Sequence, residues 1–175
     1  MKLMQFFSSS FLLLCFALIS VNGDLITDTC NKISDPKVDV KFCIEKLEAD
    51  PSSRGAKDLR ELLGSSIKLI KPRITEVSSV ITKLTSDPKF NKPALEVCTE
   101  LFNDAANGAD EAYNSSVKAD YDSVLTYLSA LDTDADTCKQ GFEDLGVPYP
   151  QPLVDPTNYF YGITNIALSI ADMLK

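Results

Sequence analysis

The 175-residue chain is acidic: 25 Asp and Glu residues against 17 Lys and Arg residues give a formal charge of −8, and the sequence contains no histidine. The charge argues against nucleic acids and anionic membranes as partners, because like charges repel. Without histidine the chain lacks the usual general base and the commonest metal ligand. We therefore expect no catalytic centre, no metal site and no cofactor, and a protein that acts by binding another protein.

Residues 1–23 have the pattern of a secretory signal peptide. Lys2 precedes an apolar run from Phe11 to Ile19, and the compact residues Val-Asn-Gly follow at positions 21–23, where a signal peptidase would read them. The run is far shorter than the ~20 residues with which a helix spans a bilayer. We expect cleavage after residue 23 and a secreted, extracellular mature chain of one domain.

Four cysteines remain in the mature chain, Cys30, Cys43, Cys98 and Cys138, because Cys15 lies in the signal peptide. An even number of cysteines in an exported protein predicts two disulfides, and four cysteines allow three pairings. We favour Cys30 with Cys43 and Cys98 with Cys138. The first bond would close a helical hairpin, and the second would tie two longer helices together.

Apolar residues recur at helical spacing along the chain, and the Gly and Pro residues mostly lie between the helical segments, so an all-α fold is predicted. Residues 24–52 read as an N-terminal helical hairpin, broken by Ser34-Asp35-Pro36. Residues 53–175 read as an antiparallel up-and-down four-helix bundle. We expect the hairpin to extend from one end of this bundle.

The first bundle helix is predicted to follow Asp50-Pro51-Ser52-Ser53, where the serine oxygens would cap its free amides. Its apolar stripe extends from Leu59 to Leu84 and contains Pro72, which predicts a kink. Asp87-Pro88 would end this helix.

The second bundle helix is predicted from about Lys92 to Val117, and the third begins at Asp120. Prolines at positions 148, 150, 152 and 156 exclude helix between Gly146 and Pro156, because proline cannot donate to the helical ladder. The last helix would therefore begin with Asp155-Pro156-Thr157.

Acidic clusters invite two chemical interpretations, and we reject both. Carboxylates at 132, 134, 136 and 143 match positions 1, 3, 5 and 12 of a calcium loop, but Thr137 occupies position 6, where a glycine must turn the chain. The pairs Asp110-Glu111 and Glu143-Asp144 could serve a glycosidase, which needs a cleft that bundle surfaces do not offer. We interpret both as solvated charge, and Asn114-Ser115-Ser116 as a glycosylation sequon.

The four-cysteine layout, the hairpin closed by a disulfide and the segment from Asp120 to Cys138, with its Ser-Ala-Leu and Thr-Cys sequences, together resemble the plant invertase and pectin methylesterase inhibitor family. Glu48-Ala49-Asp50-Pro51 and Gly141-Phe142 resemble the branch whose members are named as invertase inhibitors. The resemblance covers the whole mature chain. It implies a hairpin on a four-helix bundle, disulfides that join the first cysteine to the second and the third to the fourth, and stoichiometric inhibition of an extracellular carbohydrate enzyme in the cell wall.

The same resemblance bears on the target enzyme. In family inhibitors of cell-wall invertase, a Pro-Lys-Phe tripeptide between the third and fourth cysteines enters the substrate cleft of the enzyme. At that place this chain reads Ala119-Asp120-Tyr121-Asp122. Pro88-Lys89-Phe90 precedes Cys98, and we interpret it as a helix stop. Pectin methylesterase is therefore the preferred target, since its often basic surface would attract an acidic inhibitor. Invertase inhibition is the first alternative, and a structural or signalling role without an enzyme target is the second.

The expected contacts with the target are polar residues of the second and third bundle helices: Asn103, Asn107, Lys118 and Tyr121. They are chosen by position and expected exposure. Tyr121 belongs to this group only if its side chain is not buried on the apolar stripe. In isolation the protein is expected to be a monomer.

Overall fold

The computed structural model describes residues 25–175, so the predicted signal peptide lies outside the described residues. Within this range the chain forms seven α-helices and no β-strand. They are α1 (residues 25–32), α2 (Val40–Ala49), α3 (Pro51–Arg54), α4 (Leu59–Thr85), α5 (Lys92–Val117), α6 (Tyr121–Asp144) and α7 (Gln151–Asp172). None of these helices is both long enough and apolar enough to cross a membrane.

Helices α4 to α7 form the predicted four-helix bundle. Each packs against two others, α4 against α5 and α7 and α6 against the same two, as in an up-and-down arrangement. Phe102, Phe142 and Phe160, from α5, α6 and α7, are among the largest fully buried side chains. The rings of Phe102 and Phe160 meet edge to face with centroids 5.6 Å apart. The all-α bundle and both disulfides, Cys30–Cys43 and Cys98–Cys138, are confirmed.

The N-terminal hairpin packs along α7 and does not extend from the end of the bundle, so that expectation is wrong. Ile26 and Leu47 of the hairpin belong to the same continuous core as the bundle residues. The ring of Phe42 lies 5.3 Å from that of Tyr159 and passes so close to Gly162 that a Cβ there would lie 2.6 Å from Phe42 Cε1. The hairpin carries apolar residues of its own, and burying them against α7 favours the docked position.

Two aspartates, and not the predicted serines, cap the helices at the entry to the bundle. Asp50 accepts a hydrogen bond from the Ser53 amide and begins the short α3, which sequence reasoning missed. Asp58 then begins α4 by accepting from the amides of Arg60 and Glu61, each at 2.9 Å. Glu61 reaches back to accept from the Lys57 amide at 2.9 Å. A carboxylate at this end of the helix also interacts favourably with the positive end of the helix dipole.

Replacing the Asp58 carboxylate should destabilise α4. Asp58→Ala leaves two amides of the first turn without their acceptor, and we expect the free energy of unfolding to fall by about 1 kcal/mol in urea denaturation. Asp58→Asn keeps a capping oxygen and should remain within a few tenths of a kcal/mol of the unmodified protein. Equal stabilities for the two variants would contradict the capping role.

Helix α7 begins at Gln151 and contains Pro152 and Pro156, so the prediction of a non-helical segment up to Pro156 is wrong. Pro152 occupies the first turn, where backbone amides have no helical partner and proline costs nothing. Pro156 removes one ladder bond, but Leu153 and Phe160 on either side are fully buried and hold the helix in place. Helix α4 likewise continues through Pro72.

Candidate functional site

The negative charge of the chain is concentrated on α5, α6 and their connection. Residues 92–144 contain 12 Asp and Glu residues against 3 Lys residues, a net charge of −9. The remaining residues of the 175 contain 13 acidic and 14 basic residues and are almost neutral. We call the exposed side chains of residues 92–144 the acidic face. A positively charged partner would be drawn to this side of the molecule.

Helices α5 and α6 are held close together beneath this face. The Cys98–Cys138 disulfide joins them with Cα atoms 4.6 Å apart. A Cβ at Gly108 would lie only 2.8 Å from Leu131 Cδ1, so the helices approach where α5 has no side chain. Ala105 and Ala109 of α5 are buried, and their small side chains also allow the two helices to approach closely. The acidic face therefore lies on two tightly packed helices.

Carboxylates meet across the boundary between the two helices. Burial raises the pKa of Asp134 on α6, and the charge of Asp104 on α5 raises it further. Such repulsion is relieved when a cationic group approaches both carboxylates.

Three of the four predicted contact residues lie on one exposed stripe of α5. Asn103 and Asn107 are exposed in the middle of α5, and Lys118 is exposed immediately after its end. Their spacing places them within about 60° of one another around the helix axis. The ring of Tyr121 packs partly against the core, and its hydroxyl is buried without a hydrogen-bond partner among the described residues. By the exposure criterion, Tyr121 leaves the group.

The sequon residue Asn114 is exposed and lies on the same stripe, between Asn107 and Lys118. A glycan on its amide would therefore cover the positions that a partner enzyme would contact. The glycosylation prediction and the contact prediction thus exclude each other at this place on α5.

The aspartates that imitate a calcium loop lie on a continuous helix. Asp136 accepts a hydrogen bond from the Tyr161 hydroxyl on α7 at 2.5 Å. Across residues 25–175 there is no group of three or more His, Cys, Asp or Glu side chains that could hold a metal ion. In the two carboxylate pairs that we interpreted as solvated charge, Asp110 accepts from the Lys71 ammonium at 2.7 Å, and Asp144 accepts from the Gln140 amide at 2.9 Å.

Asp132 has a distinct environment that sequence reasoning did not detect. Burial raises its pKa to about 6, and the charges of Asp136 and Asp35 raise it further, whereas Asn165 and Lys37 lower it. One carboxylate oxygen, Oδ1, is buried without a hydrogen-bond partner among the described residues. Asp35 and Lys37 come from the hairpin turn, so this carboxyl group lies where α6, α7 and the hairpin meet.

The Pro88-Lys89-Phe90 tripeptide forms the turn between α4 and α5. Asp87 accepts from the Lys89 amide with its carboxylate at 3.0 Å and from the Phe90 amide with its backbone carbonyl at 3.1 Å. Phe90 packs partly against the core. In an up-and-down bundle this turn lies at the opposite end from the connection between α5 and α6.

Comparison with known proteins identifies the family of the chain. Residues 24–170 match the family described as plant invertase/pectin methylesterase inhibitor. The chain is 32% identical over 171 residues to a Platanus orientalis protein named "Putative invertase inhibitor", covering 94% of this chain and 97% of the relative. It is 31% identical over 160 residues to the "Pectinesterase inhibitor" of Actinidia deliciosa, covering 89% and 82%.

The fold is also shared with solved structures. A mutant form of a pectin methylesterase inhibitor from Arabidopsis superimposes with a TM-score of 0.67 at 22% identity, covering 83% of this chain and 94% of that one. Helical content, topology and disulfides thus define the class, a disulfide-bonded four-helix-bundle domain with an N-terminal helical hairpin. The chain belongs to the plant invertase/pectin methylesterase inhibitor family.

Proposed function

We propose that this protein is a secreted, non-catalytic inhibitor of pectin methylesterase that binds its target in a stoichiometric complex through α5 and α6. The observation that carries the choice of surface is the net charge of −9 on residues 92–144, in a chain that is otherwise almost neutral. Electrostatic complementarity of this kind speeds association with a basic enzyme and orients the encounter. The relative named a pectinesterase inhibitor supports the choice of target.

Two features support binding without catalysis, and two others support an extracellular location. The chain has no histidine, and the carboxylates of Asp110, Asp136 and Asp144 are engaged in structural hydrogen bonds. Both described disulfides require an oxidising compartment such as the exterior of the cell. The signal-peptide pattern of residues 1–23 agrees with that location.

Inhibition of an acid invertase is the second candidate, supported by the relative from Platanus orientalis. The connection between α5 and α6 carries Lys118 and Asp120 around Ala119 and offers no Pro-Lys-Phe sequence. An invertase contact through Pro88-Lys89-Phe90 would have to use the other end of the bundle. The two candidates therefore differ in the surface that they would bury.

Titration of two enzymes tests the proposal. The purified protein is added to a pectin methylesterase and, separately, to a cell-wall invertase, each at a fixed concentration well above the expected dissociation constant. We expect methylesterase activity to fall linearly to an end point at one inhibitor per enzyme, while invertase activity is retained. Loss of invertase activity alone would favour the second candidate. Retention of both activities would favour a role without an enzyme target.

A further inference from the structure

A cleft of about 390 Å³ opens on the α4 side of α5, away from α6. It is an open groove bordered by α3, the first half of α4 and the end of α5, and its volume falls in the range of small-molecule sites. We call it the cationic cleft and define it by Ser52, Arg60, Gly64, Lys68, Tyr113 and Ser116. None of the predicted partner contacts lines it.

The two cations of this cleft have no carboxylate partner within 4 Å among the described residues. Two other cations of the same helix are paired, Lys71 with Asp110 and Arg73 with Glu76, each at 2.7 Å. Glu61 also lines the cleft, and its carboxylate accepts from the Lys57 amide in the α4 cap. With Arg60, Lys68 and Glu61 the cleft carries a net charge of +1, and within residues 25–175 neither cation forms an ion pair.

The shape of the cleft favours an elongated ligand. Arg60, Gly64 and Lys68 follow one another at intervals of four residues on one side of α4, so the two cations stand about 12 Å apart along the helix. Gly64 leaves the floor between them open, since a Cβ there would still be 3.8 Å from Tyr113 Cε2. The Lys68 ammonium lies 4.6 Å from the centre of the Tyr113 ring. A compact single anion could reach one cation but could not bridge both.

We propose that the cationic cleft binds an acidic oligosaccharide, a short chain of sugars that carries carboxylates. Arg60 presents a planar fork suited to a carboxylate, and Lys68 supplies a second positive charge further along the chain. Ser52 and Ser116 also line the cleft, and the Ser116 hydroxyl, which donates to the Tyr113 carbonyl at 2.7 Å, can still accept from a sugar hydroxyl. This site is additional to the proposed function, because the cleft is lined by none of the predicted contact residues and by no acidic residue of the acidic face.

Binding is tested on the isolated protein with both disulfides intact, by following backbone amide NMR signals. The probes are trigalacturonate, its fully methyl-esterified form and inorganic phosphate. We expect trigalacturonate to shift the amides of residues 60–68 and 113–119 with an affinity that falls as salt is added. The neutral ester should bind at least tenfold more weakly. Phosphate should give no saturable binding up to about 10 mM.

Two variants and a control locate the site. Arg60→Gln combined with Lys68→Gln removes both charges, and Gly64→Leu fills the floor without changing charge; each should weaken trigalacturonate binding at least tenfold. Lys83→Gln, about 22 Å from Lys68 along α4, should retain it. Absence of saturable trigalacturonate binding, equal binding of the neutral ester, binding of phosphate alone, or unchanged affinity in the double charge variant would each overturn the proposal. Because no enzyme is present, these outcomes are independent of the inhibition assay.

Discussion

Replacing Cys98 and Cys138 together by alanine should lower the free energy of unfolding by about 4 kcal/mol. The bond closes a sequence separation of 40 residues, so its loss releases a large amount of chain entropy in the unfolded state. Both cysteines are fully buried, and alanine avoids placing an unsatisfied hydroxyl group in the core. Urea denaturation followed by circular dichroism measures the difference.

The hairpin disulfide provides the matched comparison. Cys30 and Cys43 are separated by only 13 residues, so their replacement by alanine should cost less, about 3 kcal/mol. Two results would contradict the expected contributions of the disulfides. One is a larger decrease in the free energy of unfolding for the hairpin pair than for the α5–α6 pair, and the other is a decrease below about 1 kcal/mol for the α5–α6 pair.

Replacing Asp132 by asparagine should stabilise the protein at neutral pH. The pKa of this carboxyl group rises from 3.8 to about 6 in the folded protein, chiefly through burial. Such a change corresponds to at most about 3 kcal/mol, which solvent screening at a partly buried site reduces to about 2 kcal/mol. We expect the variant to gain roughly this amount at pH 7, as measured by urea denaturation.

The sign of the pH dependence follows from the raised pKa. Between pH 4 and pH 6 the folded protein binds more protons at Asp132 than the unfolded chain. The contribution of Asp132 to the free energy of unfolding is therefore most favourable at low pH and becomes less favourable as pH rises. Asp132→Asn should remove that loss, while the two proteins converge in stability near pH 4. Asp155→Asn, which removes one charge from an exposed position on α7, corrects for the general effect of net charge. A gain at pH 7 no larger than that of Asp155→Asn would contradict this account of Asp132.

The sequence predicted the bundle helices well wherever local signals agreed. The predicted span of α5, Lys92 to Val117, matches the structure because Asn91 caps it, Pro93 suits its first turn and its apolar residues keep one face. The prediction is wrong at α7, because local proline chemistry excludes a helix before Pro156 whereas buried residues on both sides of Pro156 hold the helix together. It also missed the docked hairpin, since the contact of Phe42 with Gly162 depends on residues far apart in the chain.

The candidate surfaces were only partly predictable. Asn103, Asn107 and Lys118 follow helical spacing, so their common stripe could be read from the sequence, and so could the shared position of Asn114. The concentration of acidic residues in 92–144 was also readable, but only by counting charge segment by segment and not over the whole chain. The cationic cleft and the environment of Asp132 could not be predicted, because both arise where separate helices meet.

The central claim, that the acidic face binds the target enzyme, is tested most directly by charge reversal with a matched control. The association rate with pectin methylesterase is measured for the unmodified protein, for Asp104→Lys with Glu111→Lys on α5, and for Glu48→Lys with Asp155→Lys outside the acidic face. We predict that the α5 variant associates at least about tenfold more slowly at low salt, and that the control variant is slowed far less. Equal rates for the two variants would contradict the claim.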